Sequence, residues 1–432
     1  MDYILVLIII LLVFVAFFIG EKDITSPWII VCGIFLISSL VAAINRSIWG
    51  TSIDSYTVII IVSALVCFGL GQYVIQYFFY KSHFMMTTEN ETNTVLRPSR
   101  VFVSIICFAM IIMFLYYANQ LYKLSLSYGN NNGFKEMIYY VRTAIVDGGD
   151  INKIANHFQC LCQCIAYIFA TIFCKDLIYS GLNKQNIIYC VPTIIYIPFL
   201  ILKGERTGFI YLIVFVFIIG AFFSQRKSNG SIKTSIKIVL AGCLGLFLFF
   251  IVFRLSGFLK QSGVGVSAFE SISKYTGFSI PAFDEFLKNP FPENTYFGEY
   301  TLNRIYSITN QLHLTNIPLS SRYLPFLTLP NGTSANVYTA LARYIQDFGY
   351  LGMYITMLCM GIIYSCMWKL VKKIHKIDLG VIFYAMFFYP LALISIDDVF
   401  FNEFVSTTTV YQIIYTVAVY YLIVKNVKCK KA

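Results

Sequence analysis

The residues best suited to chemistry in this sequence are arginines at the ends of long apolar runs. The first, Arg206, lies in Lys203-Gly204-Glu205-Arg206-Thr207-Gly208, a very short connection between two such runs. Glycine on each side allows a tight turn and lets a bulky anion approach the backbone. Arg206 stands where the next helix should begin, and the free N–H groups of a helix N-terminus favour phosphate. We predict that Arg206 binds phosphate; the alternative is an arginine that only reaches the lipid headgroups.

A second cluster of polar residues precedes the ninth apolar run. Its members, in chain order, are Asn336, Tyr338, Thr339, Arg343, Asp347-Phe348-Gly349 and Gly352. On a helix, Arg343 and Asp347 are four residues apart and should form an ion pair on one face. We predict that Asn336, Tyr338 and Arg343 bind substrate and that Asp347 is catalytic. The alternative is a structural pair that holds the preceding loop on the helix bundle.

The remaining candidate residues lie in two loops. Residues 254–348 carry three more arginines suited to a diphosphate, and one histidine whose ordinary pKa suits a general base: Arg254, Arg304, Arg322 and His313. The last loop carries three carboxylates that could supply a base, bind a cation or simply face solvent: Asp397, Asp398 and Glu403. We include His313, Asp398 and Glu403 among the catalytic candidates, and we predict no resident metal.

The composition determines which elements must position these residues. Of the 432 residues, 58% are hydrophobic and only 12% are charged. Soluble proteins carry about 45–50% apolar and about 25% charged residues, so a water-soluble fold of this length would expose large apolar surfaces. A cytosolic enzyme, a disordered chain and a disulfide-stapled secreted domain are therefore excluded. The net charge is +11, but no basic patch of domain size accompanies it, so nucleic acid is not an expected partner.

Apolar runs of about 17–25 residues are long enough to cross a membrane as helices. We predict eleven spans, at 3–19, 27–43, 56–79, 101–118, 158–179, 186–202, 207–223, 238–253, 349–368, 379–396 and 409–424. Basic loops stay on the cytoplasmic side, which places the N-terminus and residues 254–348 outside. The predicted fold class is an all-α polytopic membrane protein. Its parts are a bundle at 1–253, an extracytoplasmic loop of short helices at 254–348, and a bundle with a basic tail at 349–432.

Two elements of the sequence resemble those of the Wzy-type oligosaccharide repeat-unit polymerases, the O-antigen and capsule polymerases that are related to O-antigen ligases. Gly204-Glu205-Arg206-Thr207 resembles the first element of that family. Asn336-x-Tyr338-Thr339, followed by Asp347-Phe348-Gly349-x-x-Gly352, is similar to the second. The order of many spans, one large late loop and two or three final spans also fits the family.

This resemblance implies a glycosyltransferase in the bacterial cytoplasmic membrane. The growing glycan would leave undecaprenyl diphosphate and join the non-reducing-end hydroxyl of an incoming lipid-linked repeat unit at the outer face. The implied partners are the lipid-linked oligosaccharide, membrane lipids and a chain-length regulator protein, and no cofactor is implied. Because a polyprenyl diphosphate is already activated, the protein must align the hydroxyl and stabilise the departing diphosphate.

Three alternative functions stay open at this level. A flippase or secondary transporter would show interrupted spans and charges near the bilayer midplane, and Lys175 and Asp176 near one span end are weak signs of this kind. An O-antigen ligase would move a finished glycan onto another acceptor. A non-enzymatic assembly protein would not need arginines on its outer surface.

Overall fold

A computed structural model describes residues 1–81, 94–204, 207–228, 231, 233–238, 240, 242, 268–319, 324–372, 374–425 and 429–431. Regular structure in these residues is almost entirely helical, which confirms the predicted all-α fold class. Eight of the described helices are long and apolar enough to cross a membrane. Three shorter apolar helices lie at Met137–Val146, Ile187–Lys203 and Leu379–Leu393. The chain is a multi-pass membrane protein, and the number of spans stays a prediction.

The described helices follow in chain order. They are α1 (Asp2–Ile19), α2 (Pro27–Trp49), α3 (Ser55–Lys81), α4 (Arg100–Ser127), α5 (Met137–Val146), α6 (Lys153–Ser180), α7 (Val191–Lys203), α8 (Thr207–Lys227), α9 (Ala268–Gly277), α10 (Ser279–Lys288), α11 (Asn303–Gln311), α12 (Ala340–Val371), α13 (Leu379–Met386), α14 (Tyr389–Leu393) and α15 (Thr407–Tyr420). Among the strands, β1 (Thr94–Leu96) pairs antiparallel with β4 (Cys429–Lys431), and β2 (Leu327–Thr328) pairs antiparallel with β3 (Ser334–Ala335). A π-helical turn covers Phe400–Phe404.

The chain forms two compact units, and the first contains the described residues of 1–87, 267–373 and 387–407. At its centre α3 crosses α12 closely. Gly71 and Gly361 lie at this crossing, where a methyl group on Gly361 would overlap the carbonyl of Phe68. Small residues allow such an approach in a membrane, where packing rather than water exclusion holds helices together. The crossing fixes α12, which carries Arg343 near its N-terminal end.

One predicted span begins at a break in a longer helix, and another is itself broken. Gly349 interrupts α12 with a φ of 67°, a left-handed conformation that glycine adopts without strain. The predicted span 349–368 therefore starts at a bend, and a short helical arm precedes it. The predicted span 379–396 is split into α13 and α14. Most of the span predicted at 238–253 lies outside the described residues.

Contacts within the first unit show which segment ends lie together. Glu21, just after α1, forms ion pairs with Lys369 and Lys372 at the end of α12. The backbone N–H of Asp54 donates to the carboxylate of Asp284 at 2.8 Å. Each contact joins two segments that the eleven-span map assigns to the same side of the membrane.

The second unit contains the described residues of 88–266, 374–386 and 408–432. Its central helix is α6, the most deeply buried of the described candidate spans. Arg97, beside β1, donates to both carboxylate oxygens of Asp176 at 2.9 Å. At the end of α7, Gly204 adopts a φ of 64°, as the tight turn inferred from the sequence requires. Arg97 and Asp176 belong to segment ends that the map also places on one side.

Candidate functional site

Arg343 is the centre of a charged cluster in the first unit. It lies in the first turns of α12 and is only 2% exposed. Its Nε and Nη2 donate to the two carboxylate oxygens of Asp397 at 2.7 and 3.2 Å. Its Nη1 donates to the carbonyl of Tyr300 at 2.8 Å. The guanidinium therefore joins the segment before α11 to the segment after α14, through a two-pronged charge-assisted pair.

The sequence predicts an ion pair between Arg343 and Asp347. This prediction is wrong, because the Arg343 guanidinium pairs with Asp397 instead. The Asp347 carboxylate is instead used by the preceding loop. It accepts hydrogen bonds from the backbone N–H groups of Tyr300 at 3.2 Å and Thr301 at 2.6 Å. The side-chain amide of Asn294 donates to it at 2.6 Å. Asp347 thus positions the loop that supplies the Tyr300 carbonyl to Arg343.

The adjacent carboxylates Asp397 and Asp398 have different surroundings. The Asp397 side chain is 40% exposed, so one face of the carboxylate held by Arg343 reaches solvent. Asp398 is 1% exposed and accepts hydrogen bonds from the hydroxyl of Tyr344 and the side-chain amide of Asn402. It also accepts from the backbone N–H groups at the start of the π-helical turn. Asp397 is the carboxylate that a substrate could reach, whereas Asp398 holds the turn.

Burial raises the pKa of Asp398 to about 7, because an ionised carboxylate loses its hydration there. The unfolded chain would titrate near 3.9, so the folded state binds this proton more tightly. The stabilisation is complete below about pH 4 and is lost as the pH rises through about 7. We expect Asp398→Asn, which cannot ionise, to reduce the fall in melting temperature between about pH 5 and about pH 8. Identical pH dependence in the wild type and the variant would contradict this.

Arg304 meets the same cluster from α11. Its Nε donates to the backbone carbonyl of Asn402 at 3.2 Å, and its side chain is half-buried. The Asn402 side-chain amide donates to Asp398, and it lies 3.4 Å from the Tyr300 carbonyl. Glu403 follows in the same turn and is half-buried. Arg304 is therefore connected to the Arg343–Asp397 pair through Asn402 and the Tyr300 carbonyl.

Asn336 and Tyr338 connect β3 to α12. Tyr338 is 4% exposed, and its ring packs edge-on against Phe291 at 5.0 Å between centroids. Burial raises its pKa to about 12, so the hydroxyl stays protonated at neutral pH. Asn336 is half-buried directly after β3. Of these two predicted binding residues, Tyr338 is a packing residue and Asn336 is the more accessible.

His313 ends α11 rather than joining the cluster around Arg343. It is exposed and adopts a φ of 57°, and its backbone N–H donates to the carbonyl of Asn310. A left-handed residue after a helix is commonly glycine, because a side chain strains this conformation by about 1–2 kcal/mol. This geometry accounts for His313 as a helix-ending residue.

We expect His313→Gly to keep wild-type activity and to raise the stability of the fold by up to about 1 kcal/mol, since glycine relieves the left-handed strain. Thermal unfolding and activity of the purified variant measure both effects. A general base in this position would instead make the substitution cost about 10²–10⁴-fold in rate. That loss, with a raised melting temperature, would return His313 to the catalytic residues.

Three of the predicted arginines, Arg206, Arg254 and Arg322, lie outside the described residues. Within the described part, no three His, Cys, Asp or Glu side chains converge to hold a metal ion. The site residues that sequence reasoning missed are Asn294, Tyr300, Thr301, Tyr344 and Asn402. Tyr300 and Thr301 act through backbone groups, for which residue type gives no signal. For Tyr344 and Asn402, which contact Asp398, the only signal in the sequence was the neighbouring pair of carboxylates Asp397 and Asp398.

In the second unit, α6 carries a polar stripe that includes Lys175 and extends well beyond the Lys175-Asp176 pair. At four-residue spacing, the side chains of Gln159, Gln163, Tyr167, Thr171 and Lys175 form a stripe that winds roughly 160° around the helix. Gln163 donates to the hydroxyl of Tyr167 at 3.1 Å and accepts from Gln412 at 3.0 Å. The Lys175 ammonium lies 5.7 Å from the ring centroids of Tyr179 and Phe223. These mutual contacts are those of polar side chains that join membrane helices.

The fold and the site define a multi-pass helical membrane protein with a buried arginine that orients a half-exposed carboxylate. Comparison with protein-family models, curated proteins and solved structures found no match to this chain. A proposal about its function must therefore rest on the chemistry of the site.

Proposed function

We propose that the protein is a membrane-embedded glycosyltransferase that polymerises lipid-linked oligosaccharide repeat units. The observation that carries the proposal is the cluster in which Arg343 orients the half-exposed Asp397 while Arg304 binds the carbonyl of Asn402 in the π-helical turn that follows. An oriented carboxylate and a cation held in the same cluster suit transfer from a diphosphate to a hydroxyl. The resemblance of the two sequence motifs to repeat-unit polymerases agrees with this chemistry.

In the proposed reaction Asp397 takes the proton of the acceptor hydroxyl. At the same time, the oxygen of that hydroxyl bonds to the anomeric carbon of the donor. The bond between that carbon and the diphosphate oxygen breaks, and the electron pair leaves with the diphosphate. Arg304 stabilises the charge on the leaving group, with Arg206, Arg254 and Arg322 as further candidates from the sequence. Arg343 is a positioning residue, because its guanidinium is buried against Asp397 and the Tyr300 carbonyl.

The basic loops indicate on which side of the membrane the proposed reaction takes place. In the eleven-span map, the segments that carry Arg343, Tyr300 and Asp397 all lie on the outer side, where a flipped lipid-linked repeat unit would be presented. A chain-length regulator protein and membrane lipids are the further partners of this proposal, and the bacterial cytoplasmic membrane is its location.

The test is polymer formation by the purified protein from a synthetic undecaprenyl-diphosphate repeat unit. We expect a ladder of lipid-linked oligomers on a gel, and we expect a chelator to leave it intact because the proposed chemistry needs no metal. The absence of a ladder from folded protein would overturn the proposal. A ladder that a chelator abolishes would reveal a missing cation site.

The sequence supplies a separate prediction at Arg206. We expect Arg206→Ala to abolish polymer while single repeat units still reach the surface lipid. Arg206→Lys should recover only part of the activity, because a point charge cannot bridge two phosphate oxygens as the guanidinium does. Membrane content of each variant is the control. Wild-type polymer length in Arg206→Ala would reduce this residue to a headgroup anchor.

The polar stripe of α6 favours a flippase or secondary transporter as the second candidate function, because polar residues in a buried span often mark a substrate path. Gln163→Leu separates the two functions. A transporter would lose movement of the lipid-linked repeat unit across proteoliposomes. A polymerase that uses the stripe only for packing would keep its ladder.

An O-antigen ligase would share the donor and differ in the acceptor. Offering the purified protein a lipid-linked repeat unit and a lipid A-core acceptor together distinguishes them. If the repeat unit carries a label, label in the ladder of oligomers indicates a polymerase, whereas label on the lipid A-core acceptor indicates a ligase.

A further inference from the structure

Residues 294–301, which we call the Asp347-anchored loop, are held at both ends by one carboxylate. Asn294 donates to Asp347 at the first end, and the backbone N–H groups of Tyr300 and Thr301 donate to it at the second. Inside the loop, the backbone N–H of Thr295 donates to Glu299 at 2.7 Å, and Gly298 turns the chain with a φ of 73°. The loop is therefore a closed and internally bonded element.

The tip of the Asp347-anchored loop holds an aromatic ring on the surface. Phe297 is 66% exposed, yet its ring lies 5.3 Å from the ring of Phe348. The hydroxyl of Tyr306 donates to the Phe297 carbonyl at 2.7 Å, which fixes the backbone at this position. An exposed apolar side chain on a fixed backbone is typical of a binding surface rather than of a loop tip that faces only water.

The surroundings of the tip have apolar and charged sides. Beyond Phe348, the helix bends at Gly349 and continues with exposed apolar side chains of the span, including Leu351 at 73% and Ile355 at 51%. In the other direction, Tyr300 is three residues from Phe297, at most about 10 Å along the chain, and its carbonyl binds Arg343. Arg304 follows in α11. Phe297 thus contacts the residue before the bend of α12 and lies, along the chain, three residues from the carbonyl that binds Arg343.

We propose that the Asp347-anchored loop binds the polyprenyl chain of a lipid-linked diphosphate, with the first isoprenoid units on Phe297 and Phe348 and the diphosphate toward Arg304. The assignment of a polyprenyl diphosphate rests on the proposed function. A ligand with an anionic head and an apolar tail fits a surface where an exposed aromatic ring and a cation lie on one short segment. The Asp347 carboxylate holds this loop, and the Tyr300 carbonyl of the same loop binds Arg343. The loop and the arginine site are therefore positioned by one anchor.

The experiment compares binding of farnesyl diphosphate and inorganic diphosphate to the full-length protein in lipid nanodiscs, by calorimetry. Phe297→Ala should weaken farnesyl diphosphate about tenfold, the loss expected when roughly half of a phenyl ring no longer contacts the chain. Inorganic diphosphate should bind this variant as it binds the wild type. The matched control is Phe326→Ala, which removes an aromatic ring that is 73% exposed but lies outside this loop. It should change neither affinity.

Unchanged affinity of Phe297→Ala for farnesyl diphosphate would overturn the inference, and so would equal weakening of both diphosphates or no binding of either by the wild type. The polymer assay keeps the two proposals separate. A ladder without a Phe297 effect on farnesyl diphosphate leaves the polymerase and rejects the chain-binding loop. Chain-dependent binding without a ladder leaves the loop and rejects the polymerase.

Discussion

Replacing Asp397 by asparagine should lower the rate of polymer formation by about 10²–10⁴-fold, the usual contribution of a general base. Asparagine has nearly the same shape and keeps one oxygen to accept from Arg343, so the guanidinium stays in place. The amide cannot take the proton of an acceptor hydroxyl. The loss should therefore fall on kcat more than on KM, as for a group that acts in the transition state. Initial rates of the purified protein on a synthetic repeat unit measure it.

A matched control separates this role from a general effect of removing a negative charge. Glu293→Gln is the matched control, since it alters an exposed carboxylate on a neighbouring segment and should keep the wild-type rate. A wild-type rate in Asp397→Asn would leave Asp397 only the task of holding Arg343.

Much of the fold followed from apolar run length, because a membrane leaves helices as the main way to satisfy the backbone. Helices α2 and α4 start within one residue of the predicted spans 27–43 and 101–118, and they continue beyond the predicted ends to Trp49 and Ser127. The breaks were harder to place. Gly349 was predicted as the start of a span, but glycine in a helical pattern does not reveal whether the backbone turns left-handed there. The split between α13 and α14 has no stronger local signal.

The types of the site residues were predictable, and their partners were not. Arg343 and Asp397 are 54 residues apart, and their pairing depends on how α12 and the segment after α14 come together. The nearer Asp347 looked like the natural partner by helical spacing. It is used instead by backbone N–H groups of the loop, whose positions no side-chain pattern encodes.

The second sequence motif gains a physical meaning from this arrangement. Asp347 anchors the loop whose Tyr300 carbonyl binds Arg343, and Gly349 bends the helix directly after the anchor. Both residues set the position of the arginine. The motif therefore contains residues that position the site as well as residues that could react.

Exchanging the two charges, with Arg343→Asp and Asp397→Arg together, decides whether the pair orients a base or only holds the fold. Asp397→Ala alone should be strongly destabilising, by about 3–5 kcal/mol, because it leaves the Arg343 charge buried without its partner. Arg343→Ala should cost less, since the carboxylate left behind is 40% exposed and can be hydrated. Thermal unfolding of both single variants tests this order.

The exchanged double variant should recover part of the lost stability, because opposite charges again face each other. It should not recover activity. The exchange moves the carboxylate to the position that is 2% exposed in the wild type and places the guanidinium where the substrate hydroxyl would meet Asp397. A purely structural pair predicts the opposite, that restored stability brings the polymer ladder back. Stability and rate measured on the same preparations therefore separate the two roles. If Asp397 is a base, the exchanged variant recovers stability without recovering the rate of polymer formation.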